Sequence, residues 1–491
     1  MRTSPESGVR GPESFKKLRS LWLLRVLCAT KDSTQSTQRV SVASVLNLFP
    51  RRRTRRGQSW LCFGSAALLV GLMFMPGCGG GSTTTTTTTT TPPPPVANSV
   101  TVTVNAGPAN NAVNMAYVSV QVCTPGATTN CVTIPYVQLD TASSGLRILA
   151  SFPGVSGLNL NQVTDPSKHP VYECYEFADG NYLWGPVMQG GVAMAGESAT
   201  NVPMQLIEGS APSNTPCGST GGSNLTTSTA LQANGILGIG PAMQDCGLLC
   251  YGTTVQPLYW VCPSGSACSL ASVPTATQVS NPVAFFNSTD TNGVMLTMGS
   301  VVSSGASQAT GTLYFGIGTQ TDNALSSSAK AYALSSDPLN PIPYYPIFAI
   351  YNSTSYAASI DSAQQYLVIL DPTTLAGAGI TSCASSQSTY YCPSSAVTLP
   401  LTIKDNNGDT ATLSPALSIG NATTLLASSV LGTGTNTAFS NLAEESVPGT
   451  DYVILGMPFF YGRTVYVGIA GQAPPSGLSA TTYGALGYWA F

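Results

Sequence analysis

From Val96 to Phe491 the chain alternates. Val100, Val102 and Val104 are separated by Thr. Val118, Val120 and Val122 are separated by Ser and Gln, and Thr464-Val465-Tyr466-Val467 is similar. Residues at period two line one face of a strand. Gly and Pro punctuate the runs, and no long amphipathic helix stands out. The pattern predicts an all-β body with many hairpins. About 395 residues exceed one sandwich or small barrel, so two β lobes are expected, 96–300 and 301–491.

A different chain precedes this body. Arg51, Arg52, Arg53, Arg55 and Arg56 lead into an apolar run from Trp60 to Met75, then Pro76-Gly77-Cys78. Basic, apolar and small residues in that order describe a secretory signal. The Cys at the cut resembles the lipobox of bacterial lipoproteins, with Met75 in place of the usual Leu. The resemblance implies that residues 1–77 are an N-terminal extension and lipoprotein signal peptide, and that Cys78 is the lipidated N-terminus. Thr83 to Thr91 and Pro92 to Pro95 then read as a semi-extended tether, 78–95. The protein is expected to be exported and held at the bacterial envelope, on the outer membrane or the periplasmic face. Its expected partner there is the membrane itself.

Charge excludes several functions. Residues 1–77 hold 13 of the 18 basic residues and three of the 21 acids, so the remainder carries 5 against 18, a net −13. No basic patch is available for nucleic acid. The single histidine, His169, cannot build a zinc cluster, and no phosphate-binding Gly-rich loop is present. No metal or cofactor is implied.

Of 13 Cys, removing Cys28, Cys62 and Cys78 leaves ten. An even number in an exported chain predicts disulfides. Cys123 and Cys131 flank a Thr-Pro-Gly turn, and Cys383 and Cys392 flank a polar loop, so both pairs read as local staples. Spacing leaves open the pairing of Cys174, Cys217, Cys246, Cys250, Cys262 and Cys268.

Two segments repeat each other. Tyr136-Val137-Gln138-Leu139-Asp140-Thr141-Ala142-Ser143 and Ala358-Ser359-Ile360-Asp361-Ser362-Ala363-Gln364 each run from an apolar strand into Asp, a hydroxyl residue and Ala. Downstream of each lies an Ile-Leu-Gly element, Ile236-Leu237-Gly238 and Ile454-Leu455-Gly456. Such an internal duplication predicts two similar lobes. The arrangement resembles the pepsin-like aspartic peptidases, in which each of two lobes supplies one Asp. The resemblance implies that Asp140 and Asp361 are the catalytic pair. It assigns Thr141 and Ser362 to cross-linking the two loops and Ser143 to the hydroxyl beside the first carboxylate. It also implies a flap hairpin over the cleft: Val171 to Phe177, a turn at Asp179-Gly180, and Tyr182 to Val187. More narrowly, Trp184-Gly185-Pro186-Val187, Gly311 to Gly318 and Pro458-Phe459-Phe460-Tyr461-Gly462-Arg463 resemble a bacterial lipoprotein family of uncharacterised function.

The chemistry of such a pair needs neither metal nor covalent intermediate. Two carboxylates in contact share a proton; the ionised one draws a proton from water while the protonated one polarises a carbonyl. The chain departs from the peptidase pattern at four positions. Ala142 and Ala363 replace Gly, which is expected to push the loops apart or strain them. Gln364 replaces a hydroxyl residue. Phe177 replaces the flap Tyr, leaving Tyr175 or Tyr182 to offer a hydroxyl. Three functions are compatible with these residues: an anchored acid endopeptidase, a non-catalytic module taking a peptide or polysaccharide strand in the cleft, and a structural lipoprotein.

Overall fold

A computed structural model describes residues 97–491 apart from 178, 216, 220, 254, 265–266, 338–339, 346, 385–388, 406 and 447–451, and leaves aside the side chains of 335–345. The signal segment, Cys78 and the Thr/Pro tether lie outside the described residues. The fold is mostly β. Six strands close a barrel: Ala116–Cys123, Cys131–Asp140, Gly235–Ile239, Ser144–Leu149, Glu197–Ile207 and Tyr182–Met194, the last pairing back to the first. On Ala116–Cys123, Ser119 and Gln121 face out while Val118, Val120 and Val122 are buried, which is the alternation a one-sided strand requires. Gly235–Ile239, by contrast, is buried at every position and reads as a continuous apolar run, because it is covered on both faces.

The sheet continues outward from Ser99–Val104 through Ala309–Phe315, Gly293–Met298, Thr464–Gly468, Tyr488–Ala490 and Ala331–Ala333. Four strands from beyond residue 300 therefore share a sheet with the first half of the chain. A second, seven-stranded sheet runs Thr410–Thr412, Thr402–Lys404, Ile347–Tyr351, Thr354–Ile360, Tyr452–Leu455, Leu367–Ile369, Ala443–Glu445.

The two sheets share one motif. Strand Cys131–Asp140 enters the first Asp loop and Ser144–Leu149 leaves it. Gly235–Ile239 lies between them, parallel to the first and antiparallel to the second. In the second sheet Tyr452–Leu455 lies in the same way between Thr354–Ile360 and Leu367–Ile369. Glycine is needed at the end of each inserted strand. A Cβ on Gly238 would sit 2.8 Å from the Ser143 carbonyl oxygen, and one on Gly456 2.7 Å from that of Gln364. Each aspartate loop thus rests directly on an Ile-Leu-Gly backbone.

Five disulfides stitch the described body: Cys123–Cys131, Cys174–Cys217, Cys246–Cys250, Cys262–Cys268 and Cys383–Cys392. The four clustered Cys thus form two short bridges. Multiple disulfides point to an oxidising, extracytoplasmic compartment.

Candidate active site

Asp140 ends a strand whose last four residues are all buried, and is itself 6% exposed. The loop after it folds back on the carboxylate. Ala142 and Ser143 both donate backbone N–H to Asp140 Oδ1 at 2.8 Å, and the Ser143 hydroxyl donates to Oδ2 at 2.6 Å. The second loop repeats the backbone part. Ala363 N–H donates to Asp361 Oδ1 at 2.8 Å and Gln364 N–H at 3.3 Å.

A reciprocal lattice ties the loops together. Thr141 Oγ1 donates to the Ile360 carbonyl at 3.0 Å and accepts from Ser362 N–H at 3.0 Å. Ser362 Oγ donates to the Leu139 carbonyl at 2.7 Å and accepts from Thr141 N–H at 3.2 Å. Thr141 and Ser362 are both fully buried. Gln138 adds a fifth cross-connection, its amide donating to the Ala363 carbonyl at 3.1 Å. The lattice is satisfied at every donor, which is the condition for a buried polar network to fix one geometry.

The backbone strain expected of Ala142 and Ala363 is absent. Neither adopts a positive φ, so their Cβ atoms meet no left-handed strain, and both N–H groups still reach their aspartates. Gln364 does differ from the hydroxyl it replaces. The residue is 2% exposed, and its amide donates to Glu444 Oε1 at 2.8 Å. Glu444 in turn lies beside Tyr390, whose hydroxyl is pushed far above its ordinary value by burial, then by Tyr366 and Glu444.

Asp140 and Asp361 line one cavity of about 60 Å³, together with Gln138, Ala363 and Gln364. That is room for several waters. Leu225, Leu231 and Ile236 give it an apolar wall, and Phe177 and Asp179 reach it from the hairpin. The hairpin pairs Tyr172–Glu176 with Tyr182–Pro186, within the expected bounds, and the strand of its second arm continues to Met194 in pairing with other strands. Gly180 carries the positive φ of 81° that the turn needs, and Asp179 caps it by accepting from Asn181 N–H at 2.7 Å. Of the three aromatic candidates it is Phe177 that lines the cavity. Tyr175 is buried beneath Arg147, its ring centroid 3.7 Å from the guanidinium carbon, and Tyr182 packs against the cluster that holds Cys174, Trp184 and Trp260. His169 is half exposed at the surface, its ring 3.1 Å from Asp165.

Residues 94–491 match a family model described as "Protein of unknown function (DUF3443)". The chain belongs to the DUF3443 family. No curated protein matches it. Among solved structures, the aspartic proteinase from Irpex lacteus is similar over 76% of this chain and 93% of that one, at 16% sequence identity and a TM-score of 0.43.

Sequence reading missed Glu444, the wall residues Leu225 and Leu231, and the buried group around Arg147. Arg147 left one signal: a lone charge inside the apolar run Leu146-Arg147-Ile148. A charge within a strand that reads as buried must find a counter-charge.

Proposed function

We propose that this member of the DUF3443 family is an exported, lipid-anchored acid endopeptidase that uses Asp140 and Asp361 as a water-activating pair. The observation that carries the reading is the reciprocal Thr141–Ser362 lattice, which ties together the two loops whose carboxyls line one cavity. In this reading the pair shares a proton. The ionised member takes a proton from a water in the cavity, and the protonated member donates to the scissile carbonyl. Lobes 96–300 and 301–491 each contribute one carboxylate. The Val171–Val187 hairpin, with Phe177, Asp179 and Gly180 at its tip, serves as the flap. Phe177 supplies apolar cover but no hydroxyl, so the flap excludes water rather than bonding the substrate. Cys78 carries the lipid, and the Thr/Pro tether holds the body off the envelope surface.

A second reading is favoured by Gln364. Gln364 lines the cavity at the position where the peptidase pattern has a small hydroxyl residue. On that reading the cleft holds a peptide or polysaccharide strand without cutting it. Cleavage of a peptide library by the purified protein, from about pH 3 to about pH 8, decides between them. Acid-dependent cleavage lost in both Asp140→Asn and Asp361→Asn supports the peptidase. Retention of a bound strand with no cleavage at any pH supports the binding module.

A further inference from the structure

We propose that Arg147 positions the cleft hairpin through a buried cluster of one guanidinium and two carboxyls that closes with one proton bound. The inference rests on the reading of the hairpin as the cover of the site proposed above, and it names how that cover is held.

The strand leaving the Asp140 loop, Ser144–Leu149, is buried at all six positions, and Arg147 is in its middle. Its Nη2 donates to Glu173 Oε1 at 2.6 Å and to Asp245 Oδ2 at 2.9 Å, its Nε to Glu173 Oε2 at 3.3 Å and its Nη1 to the Ser144 carbonyl at 3.1 Å. The Arg147, Glu173 and Asp245 side chains are 0%, 0% and 1% exposed. Glu173 belongs to Val171–Glu176, the first arm of the hairpin whose tip reaches the cavity. Asp245 follows the Ile-Leu-Gly strand, and its Oδ1 accepts from the Tyr259 hydroxyl at 2.6 Å. One cation therefore joins the strand leaving the catalytic loop, the hairpin arm and the segment behind them.

The charges do not balance. One guanidinium faces two carboxyls, and an unpaired buried carboxylate is costly. Arg147, Glu173 and the Tyr259 hydroxyl face Asp245, and Arg147 also faces the ring of Tyr175. Glu173 and Asp245 accept from the same Arg147 nitrogen, Nη2, and two buried carboxyls brought together on one cation are held with a proton between them. Burial and then Glu173 push Asp245 well above the usual carboxylate range. Burial alone would lower the pKa of Arg147, but Glu173, Tyr175 and Asp245 outweigh it and the guanidinium stays charged. The closed cluster is then neutral, with the proton as its third partner.

Opening the hairpin carries Glu173 away and lets water reach Asp245. The open form titrates as ordinary carboxyls do, near pH 4. Below that value both forms hold the proton and closure is at full strength. Above it the open form has released the proton and the closed form has not, so closure weakens by up to about tenfold per pH unit until Asp245 itself titrates.

Hydrogen-exchange protection factors for amides 171–187 in the full-length chain test this, each referred to the intrinsic rate at its own pH. Between about pH 5 and about pH 7 the wild-type factors should fall about tenfold or more. Asp245→Asn keeps one acceptor oxygen and cannot titrate, so its factors should be the same at both values. Glu173→Gln should flatten the dependence in the same way, and serves if the first variant does not fold. Wild-type factors that do not change with pH overturn the proposal, as does either variant keeping the wild-type slope. Asp140→Asn separates this device from the peptidase reading. The slope should survive there whether or not the chain cuts peptides, and its loss would place the proton on the aspartate pair instead.

Discussion

In the loop Asp140–Ser143 the fourth residue is a hydroxyl that donates to its own aspartate; in Asp361–Gln364 it is an amide that donates away, to Glu444. Everything upstream of that position is matched. Asp140 ends, and Asp361 directly follows, a strand laid parallel to an Ile-Leu-Gly strand. Each accepts two backbone N–H groups, and each following hydroxyl bonds the backbone of the opposite loop. The comparison separates two requirements. Holding a carboxylate at the junction needs backbone N–H groups and the cross-loop lattice, and both loops meet it. Adding the side chain of the loop's own fourth residue is a further feature: Ser143 gives its hydroxyl to Asp140, whereas Gln364 turns its amide to Glu444.

The sharpest way to break the comparison is to remove one carboxyl at a time. On the peptidase reading Asp140→Asn and Asp361→Asn should each cut kcat/KM by about 10²–10⁴-fold, because neither carboxyl acts as base and acid together. An unequal loss would show that the unlike fourth residues give the two carboxyls separable tasks. A wild-type rate in both variants would end the aspartic mechanism.

The lattice comes next. Thr141→Val strips the bonds to the Ile360 carbonyl and Ser362 N–H, and Ser362→Ala strips those to the Leu139 carbonyl and Thr141 N–H. Each change leaves buried backbone groups unpaired and should cost about 1–3 kcal/mol of unfolding free energy. The double variant should cost less than the two added together, because both act on one network. Denaturant titration of the three variants measures the coupling. Simple additivity would mean that the loops are held independently, and the equivalence drawn above would fail.

The fourth position itself should give a smaller, signed effect. Ser143→Ala removes one donor from Asp140 and should lower kcat/KM roughly fivefold, about 1 kcal/mol. Gln364→Thr places a hydroxyl beside Asp361 and should raise it by a similar factor. That variant is best read together with Glu444→Gln, so that Glu444 is not left as a buried charge without the amide it holds. Two changes of the same sign would show that residue 364 does not occupy the counterpart of the Ser143 role.

How far these features were legible follows from range. The two Asp segments and their Ile-Leu-Gly partners are runs of a few residues with period-two flanks, so the text of the chain carries them. Cys123–Cys131 and Cys383–Cys392 close short loops, 8 and 9 residues apart in sequence, and were also readable. Cys174–Cys217 spans 43 residues and was not. Arg147 meets Glu173 and Asp245 at separations of 26 and 98, and Gln364 meets Glu444 at 80. No local pattern encodes such meetings, because they depend on which strands become neighbours. The strain expected of Ala142 and Ala363 is absent for another reason. It would need a left-handed backbone at those positions, and residue type alone does not fix φ.

Ala142 and Ala363 therefore yield the smallest effect and the last test of the comparison. They occupy matched positions and make matched bonds, each donating N–H to its aspartate at 2.8 Å. Neither has a positive φ, so glycine offers no conformation that alanine lacks here. What glycine adds is freedom in the unfolded chain. Ala142→Gly and Ala363→Gly should each lower the unfolding free energy by about 0.4–1 kcal/mol, seen as a small drop in Tm. The rate should not improve, because the N–H donors and the Thr141–Ser362 lattice are already in place. A gain of more than about tenfold in kcat/KM from either glycine would reverse this. It would mean that the loops must approach more closely in the reacting state than they do at rest, and that the two Cβ atoms stand in the way.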